Sequence, residues 1–291
     1  MDGDLGDFLR SRRARIQPEE VGLPSYGRRR VPGLRREEVA QLAGVSVDYY
    51  IRLEQGRGPG GPSRTKSGGV SDTVLDAVAR VLCLDETERA YLHAVARPRR
   101  PSGRPAAPRV RPGVQLLLDS MERTPAFVLD VRMDVLAWNA LADAVFDYDR
   151  IAPDARNIPR HVFLDPASRT FYPDWPAVAV QCVAHLRVRA GHHQDDRRLT
   201  ALVGELSLKS DDFRRLWADH PVRECAFGVK RIQHPVAGLL TFPYETMALP
   251  ADPDQNLLVY TPEPASETTE RLALLGSWTS ASTVPEPTER A

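Results

Sequence analysis

The sequence predicts two folds in series, an all-α N-terminal helix-turn-helix bundle followed by an α+β C-terminal domain. Three observations carry this expectation. The segment GLRREEVAQLAGVSVDYYIRLEQGR (33–57) has the layout of two short helices around a tight turn. Beyond residue 125 the apolar pattern shifts from a helical period to alternation, and a Pro- and Arg-rich stretch separates the two regimes. At 291 residues the chain is long enough for two separate cores.

The elements of the first domain, 1–97, follow from local signals. Leu5, Phe8, Leu9 and Ile16 form a stripe that predicts a helix over 4–16, ended by Pro18. A loop with Pro24, Tyr26 and the run Arg28–Arg30 leads to Pro32 and Gly33. Helices are expected over 35–43 and 46–55. Small Ala40 stands where two helices cross closely. Gly44 supplies the left-handed backbone of the turn, and Ser46 offers its hydroxyl as N-cap to the next helix. The spacing turns Val39, Leu42, Tyr50 and Leu53 inward and leaves Val47, Asp48, Tyr49 and Arg52 outside. That is the geometry in which the second helix enters the major groove of double-stranded DNA. The plainer alternative is a helical hairpin inside a larger bundle. Residues 56–69, with six Gly and two Pro, read as a loop. Ser71 then caps a helix through Val74, Leu75, Val78, Val81 and Leu82, and Asp85 opens a fifth carrying Tyr91, Leu92 and Val95.

Residues 98–112, PRRPSGRPAAPRVRP, form a semi-extended linker poor in core residues. The second domain, 113–277, begins with a helix over 113–122, then strands 126–130 and 134–138, then a helix capped by Asn139. Helical patterns follow at 174–190, 196–208 and 210–218. Strands are expected in 223–233, 236–246 and 255–261, with a closing helix near 266–276. The polar end, 278–291, is expected to be a disordered tail. An antiparallel sheet with helices over one face commonly encloses a pocket.

Composition narrows the function. The formal net charge of zero hides an asymmetry, because residues 1–110 hold 20 Lys/Arg against 14 Asp/Glu and the remainder 19 against 25. A basic first part joined to an acidic second part fits a nucleic-acid reader attached to something else. Cys83, Cys182 and Cys225 are too few and too dispersed for a disulfide framework or a clustered zinc site, and they read as buried thiols in a reducing compartment. The charged opening is unlike a signal peptide, and no apolar run is long enough to cross a bilayer, so a cytoplasmic protein without a membrane partner is expected.

The motifs resemble a known family. Segment 33–57, followed by VLDAVARVLCLDETERAYLHAVA, is similar to the Xre-type (lambda-repressor-like) helix-turn-helix of the MmyB-like transcription regulators of actinobacteria. RPGVQLLLDSMERTPAFVLDVRMDVLAWNALADAVF, FYPDW, FRRLWADHPV and HPVAGLLTFPYETMALPADPDQNLLVYT resemble that family's ligand-binding domain, so the likeness covers about residues 5–277. It implies a DNA-binding bundle and a PAS-like sensor domain able to hold a fatty acid or similar apolar ligand. It also implies that Glu54, an acid on the DNA-facing helix, pairs with Arg13 of the first helix. One departure is the loop 58–70, longer than usual, which bears on how the helix after it meets the DNA backbone. Arg64 and Lys66 could add phosphate contacts there.

For direct readout Arg52 leads, because a guanidinium one turn into the recognition helix can donate bidentately to guanine. Ser46 caps that helix. Val47 could touch a thymine methyl. Asp48 could accept from a cytosine amine, or serve only as a first-turn carboxylate favoured by the helix dipole. Tyr49, Arg35, Arg36 and Arg57 suit phosphate or sugar. The run Arg28–Arg30 suits phosphate too, or is a solvated basic face. Half-site geometry suggests a homodimer. In the second domain Trp138, Asn139, His161, Phe163, Trp175, Trp217 and Tyr244 are the ligand-site candidates, with plain core packing as the alternative for most. Asn139 is first an N-cap and then a polar anchor at a pocket mouth. His161, His185 and His234 could each meet a ligand carboxylate. The adjacent His192 and His193 diverge by about 100° on a helix and do not make a metal pair. No cofactor is expected, a haem held through one His being the minor alternative. The sequence lacks a nucleophile elbow, a phosphate loop and a dinucleotide fingerprint, so an enzyme is not expected. A DNA-tethered protein-interaction module without an effector is the competing reading.

Overall fold

The computed structural model describes residues 3–24, 32–55, 70–96, 109–193, 195–222 and 226–282. The expectations for Arg28–Arg30, for the loop 56–69 with Arg57, Arg64 and Lys66, for most of the linker and for residues 283–291 fall outside these. The chain divides into two compact units. The first comprises Met1–Ser102, Arg187–Ala201 and Arg215–Glu224, and the second Gly103–Leu186, Leu202–Arg214 and Cys225–Ala291.

The first unit holds the five expected helices, α1 (Gly3–Arg15), α2 (Arg36–Ala43), α3 (Val47–Glu54), α4 (Asp72–Val81) and α5 (Glu86–Ala96). Phe8, Leu9, Val39, Tyr50, Leu75 and Tyr91 are buried in its core, with Phe8 and Tyr91 in edge contact at 5.0 Å. The caps fall where the sequence places them. Ser71 Oγ accepts from the Val74 N–H at 3.3 Å, and Asp85 Oδ1 from the Glu88 N–H at 2.8 Å. Leu42, expected inward, is 37% exposed. The inward stripe of α2 is Val39, Ala40 and Ala43, and Leu42 falls at its edge.

The second unit is α+β. After α6 (Pro112–Asp119) come β1 (Ala126–Asp130), β2 (Val135–Trp138), α7 (Ala140–Phe146), α8 (Ile158–Leu164), α9 (Ser168–Phe171), α10 (Trp175–His192), α11 (Arg197–Lys209) and α12 (Asp211–Ala218). The chain ends with β3 (Phe227–His234), β4 (Gly238–Ala248), β5 (Gln255–Tyr260) and α13 (Glu267–Ser282). The five strands form one antiparallel sheet in the order β2-β1-β5-β4-β3. Alternate strand residues share a face. Ala126, Val128, Ala137, Leu257 and Val259 pack with Val114 and Leu118 of α6 on one face. Phe127, Leu129, Leu258 and Tyr260 are left for the other. The sheet is therefore covered on both sides, and every residue of β1 is buried.

Three corrections follow. Residues 113–277 are not one unit, since Arg187–Ala201 and Arg215–Glu224 belong to the first. There Val188 and Val222 join the bundle core, and Gly191 lies so near Tyr91 that a Cβ would sit 2.5 Å from its ring. Three guanidiniums meet the carbonyls at the negative end of α12. Arg12 donates to His220 O at 2.8 Å, Arg15 to Asp219 O at 2.9 Å, and Arg187 to Trp217 O. Burial, and after it these cations, pushes the His220 imidazole down to about 3, so it stays neutral. Secondly, α13 runs on through Gly276, packed against Leu141, to Ser282, so residues 278–282 are helical and not tail. Thirdly, α8 and α9 were not foreseen. They are short, and α8 depends on its Asn157 cap, which accepts from the Arg160 N–H at 3.0 Å.

Candidate DNA interface and ligand cavity

The recognition helix is set by its turn and by one buried acid. Gly44 adopts φ 68°, which a side chain would strain, and ends α2. Two residues on, Ser46 Oγ accepts from the Tyr49 N–H at 3.2 Å and starts α3. Tyr50, Leu53 and Glu54 are buried, while Val47, Asp48 and Arg52 stay exposed and Tyr49 half-exposed. Arg52 Nε reaches back to Asp48 O at 3.2 Å along the helix surface.

Glu54 is fully buried. Arg13 reaches its Oε2 with Nε at 3.2 Å and its Oε1 with Nη2 at 3.0 Å, and also donates to Leu34 O at 2.7 Å. Arg36 adds two bonds to Oε1, at 3.0 and 3.2 Å. Burial raises the carboxyl, but these guanidiniums outweigh it and hold Glu54 below the usual range. The implied Arg13 pair is thus present, and Arg36, expected on phosphate, has its head on Glu54. Its side chain is 41% exposed, whereas Arg35 is exposed and has no carboxylate pair among the described residues. Gly6 was missed. A Cβ there would lie 2.1 Å from Glu54 O, so the backbones of α1 and α3 touch at that point. A Gly inside a predicted helix was the available signal.

These positions make two expectations distinct. Arg52→Ala should flatten preference at one base position by about 1–3 kcal/mol, and Arg35→Ala should weaken binding to every sequence and lower the salt slope by about 1. Competition binding with single-base operator variants, repeated at several salt concentrations, separates them. If both variants bind all probes as the parent does, α3 is not the reading helix.

In the second unit a cavity of about 80 Å³ lies between the inner sheet face and α10. Val178, Gln181, Cys182 and His185 face it from one side of the helix, at i, i+3, i+4 and i+7. Strand alternation supplies Phe127 with Leu129, Tyr244 with Thr246, and Asn256 with Leu258 and Tyr260. Lys230 joins them, donating to Gln181 Oε1 at 2.9 Å with its Nζ 5.6 Å from the Tyr244 ring centroid. Burial pushes the Cys182 thiol up to about 12, so it lines the wall as a neutral group. A wider groove of about 830 Å³ lies beside it, and Phe146, Tyr148, Ile158 and Tyr172 line both.

Of the predicted ligand residues, Tyr244 lines the cavity and His161 the groove, where Asp165 lies 3.2 Å from its ring. His185 lines the cavity and His234 the groove. Trp138, Asn139, Phe163, Trp175 and Trp217 line neither. Trp138 pairs with Phe127, but β2 is the outermost strand, so its ring stands one strand off the cavity and covers Tyr148 at 5.5 Å. Asn139 is a buried tie. Its Oδ1 accepts from Ala142 and Ala126, and its Nδ2 donates to Met121 O and Thr124 O. Phe163 packs on Phe213 at 5.1 Å, Trp175 donates to Val162 O at 2.9 Å, and Trp217 lies under Arg187 at 3.9 Å in the first unit. Sequence reading missed Tyr148, Tyr172, Gln181, Cys182, Lys230 and Asn256. The periods of α10 and β5 were the signal that could have found the helical and strand members.

A helix-turn-helix with an exposed second helix, together with an α+β domain built around a lined cavity, defines a DNA-binding regulator that carries a ligand-binding domain. The family model described as the MmyB-like transcription regulator ligand binding domain matches residues 110–275, and a helix-turn-helix domain model matches residues 4–92. The chain belongs to the MmyB-like transcription regulators. No curated protein matches it. No helix among the described residues is long and apolar enough to cross a membrane.

Proposed function

We propose that this regulator reads a specific sequence in double-stranded DNA, as a homodimer in the cytoplasm, under control of a small apolar or fatty-acid-like ligand. The observation that carries the ligand class is the cavity wall. Aromatic and aliphatic side chains from β1, α7, α10 and β5 dominate it, with a few polar groups at Gln181, His185, Lys230 and Asn256. The exposed side of α3, with Arg52 one turn from its start, supports sequence reading. One helix-turn-helix covers a single half-site, which supports two copies on DNA. A ligand then acts by favouring one of two conformations through its differential affinity for them.

Native mass spectrometry of the full chain, purified without detergent, tests this. The expected result is a bound mass of a few hundred daltons that is lost on denaturation. A clean apo mass, unchanged after adding lipid extract, would turn the second domain into a protein-interaction module.

A further inference from the structure

Helix α10 serves both units. The chain passes from the second unit to the first between Leu186 and Arg187, inside this helix of 18 residues. Its earlier part gives Val178, Gln181, Cys182 and His185 to the cavity wall. Val188, one turn beyond His185 on the same side, packs on the bundle core instead. One continuous stripe is therefore cavity lining at one end and bundle core at the other.

The helix has no place to bend between these ends. No Pro or Gly occurs from Ala177 to Ala190, and the backbone is regular α-helix throughout, so the usual causes of a kink are missing. A displacement of the cavity side is passed along the axis, because close-packed interiors have low compressibility and transmit strain. What it meets in the bundle is close-fitting. Gly191 lies against Tyr91, where a Cβ would be 2.5 Å from the ring and 3.2 Å from Val95. Tyr91 packs edge-on to Phe8 of α1 at 5.0 Å. Two residues before Phe8, Gly6 brings the α1 backbone onto that of α3 at Glu54. Each step is a direct contact, and the last is on the recognition helix.

We propose that α10 is the element by which occupancy of the cavity is conveyed to the recognition helix, through Gly191, Tyr91, Phe8 and the contact of α1 with α3 at Gly6. This rests on the reading of the second domain as a ligand sensor and names the part that carries its response. A larger group in the void moves the Val178–His185 side of α10, and the end at Gly191 moves with it. Tyr91 has no slack at that point, so α1, and with it α3, is re-seated.

A double-variant cycle on the full chain tests it without a ligand, using a duplex that the parent selects from a random-sequence pool. Cys182→Phe fills the void, and Gly191→Ala presses a methyl group on Tyr91. The two positions are nine residues apart, about 13 Å along the helix, and belong to different units. Sites so separated ordinarily act additively, within about twofold. Cys182→Phe is expected to change the Kd for the duplex about fivefold or more, with most of this change lost in the Gly191→Ala background. Additive effects, or an unchanged Kd in Cys182→Phe, overturn the proposal. If Gly191→Ala melts early, or no duplex is selected, hydrogen exchange of Cys182→Phe replaces the cycle. Exchange is then expected to differ from the parent by about fivefold at residues 187–192, 86–96 and 3–15. A change confined to the second unit overturns the proposal. Val178→Phe, at another cavity-lining position, takes the place of Cys182→Phe if that variant is the unstable one. Because no ligand is used, failure here leaves the sensor reading to stand or fall on the bound mass.

Discussion

Glu54→Ala is expected to destabilise the first unit by about 3–5 kcal/mol, the cost of stranding a buried charge when its partner is removed. For a domain of this size that is a fall in Tm of 10 °C or more, at about 4–8 °C per kcal/mol. The reason is the arrangement around Oε1. Arg13, 10% exposed at its side chain, loses the carboxylate it grips with two bonds, and Arg36 loses the group that fixes its head beside α3. Differential scanning calorimetry of parent and variant decides it, and an unchanged Tm would show that α1 and α3 are held by their apolar contacts alone. The pH dependence has a definite sign. The Glu54 carboxyl is lower in the folded state than in the unfolded chain, so its contribution is present above the unfolded carboxylate range near pH 4.3 and is lost as pH falls through the folded value. The difference in Tm between parent and Glu54→Ala should therefore shrink on acidification and stay constant above about pH 6.

Cys182→Phe is expected to abolish ligand response without loss of stability. Cys182 lies on the cavity-facing side of α10, and a ring placed there occupies the void of about 80 Å³. If that space were already filled, overpacking would cost about 1–3 kcal/mol. With the void present, the Tm of the variant should equal or exceed that of the parent. The parent, by contrast, should gain about 2.7 kcal/mol at a ligand concentration of 100 Kd, seen as a rise in Tm. Thermal melts of both proteins with and without lipid extract check the pair. A variant that still shifts on ligand addition would place the binding site elsewhere, and one that melts well below the parent would deny the cavity.

The parts of this fold that were legible in the sequence are those decided by near neighbours. Gly44 and Ser46 define the turn within three residues, Ser71 and Asn139 cap the helices that follow them, and short apolar runs at 126–130, 134–138 and 255–260 mark strands. The cavity was not legible as a site because its residues are brought together by sheet order. Tyr244 faces Tyr260 across β4 and β5, and Gln181 meets Lys230 over 49 positions of chain. Trp138 and Trp217 drew notice as large side chains, yet one stands on an edge strand and the other caps an arginine. Size signalled burial in both cases and said nothing of the ligand. The second missing kind of information was competition for partners. Arg36 has the charge and place of a phosphate contact, and only the position of Glu54 shows that its head is already bonded.

The same internal pairing shapes how DNA binding responds to ions. Each phosphate neutralised by a protein cation changes the logarithmic salt slope by about 0.9 on duplex DNA. Counting arginines along the first unit would suggest a steep dependence, but Arg12 sits on Glu88 at 2.8 Å, and Arg13 and Arg36 share Glu54. Those three release few counterions. Occupancy of the operator should then fall less steeply with rising salt, as after an osmotic upshift, than the arginine count of the first unit implies.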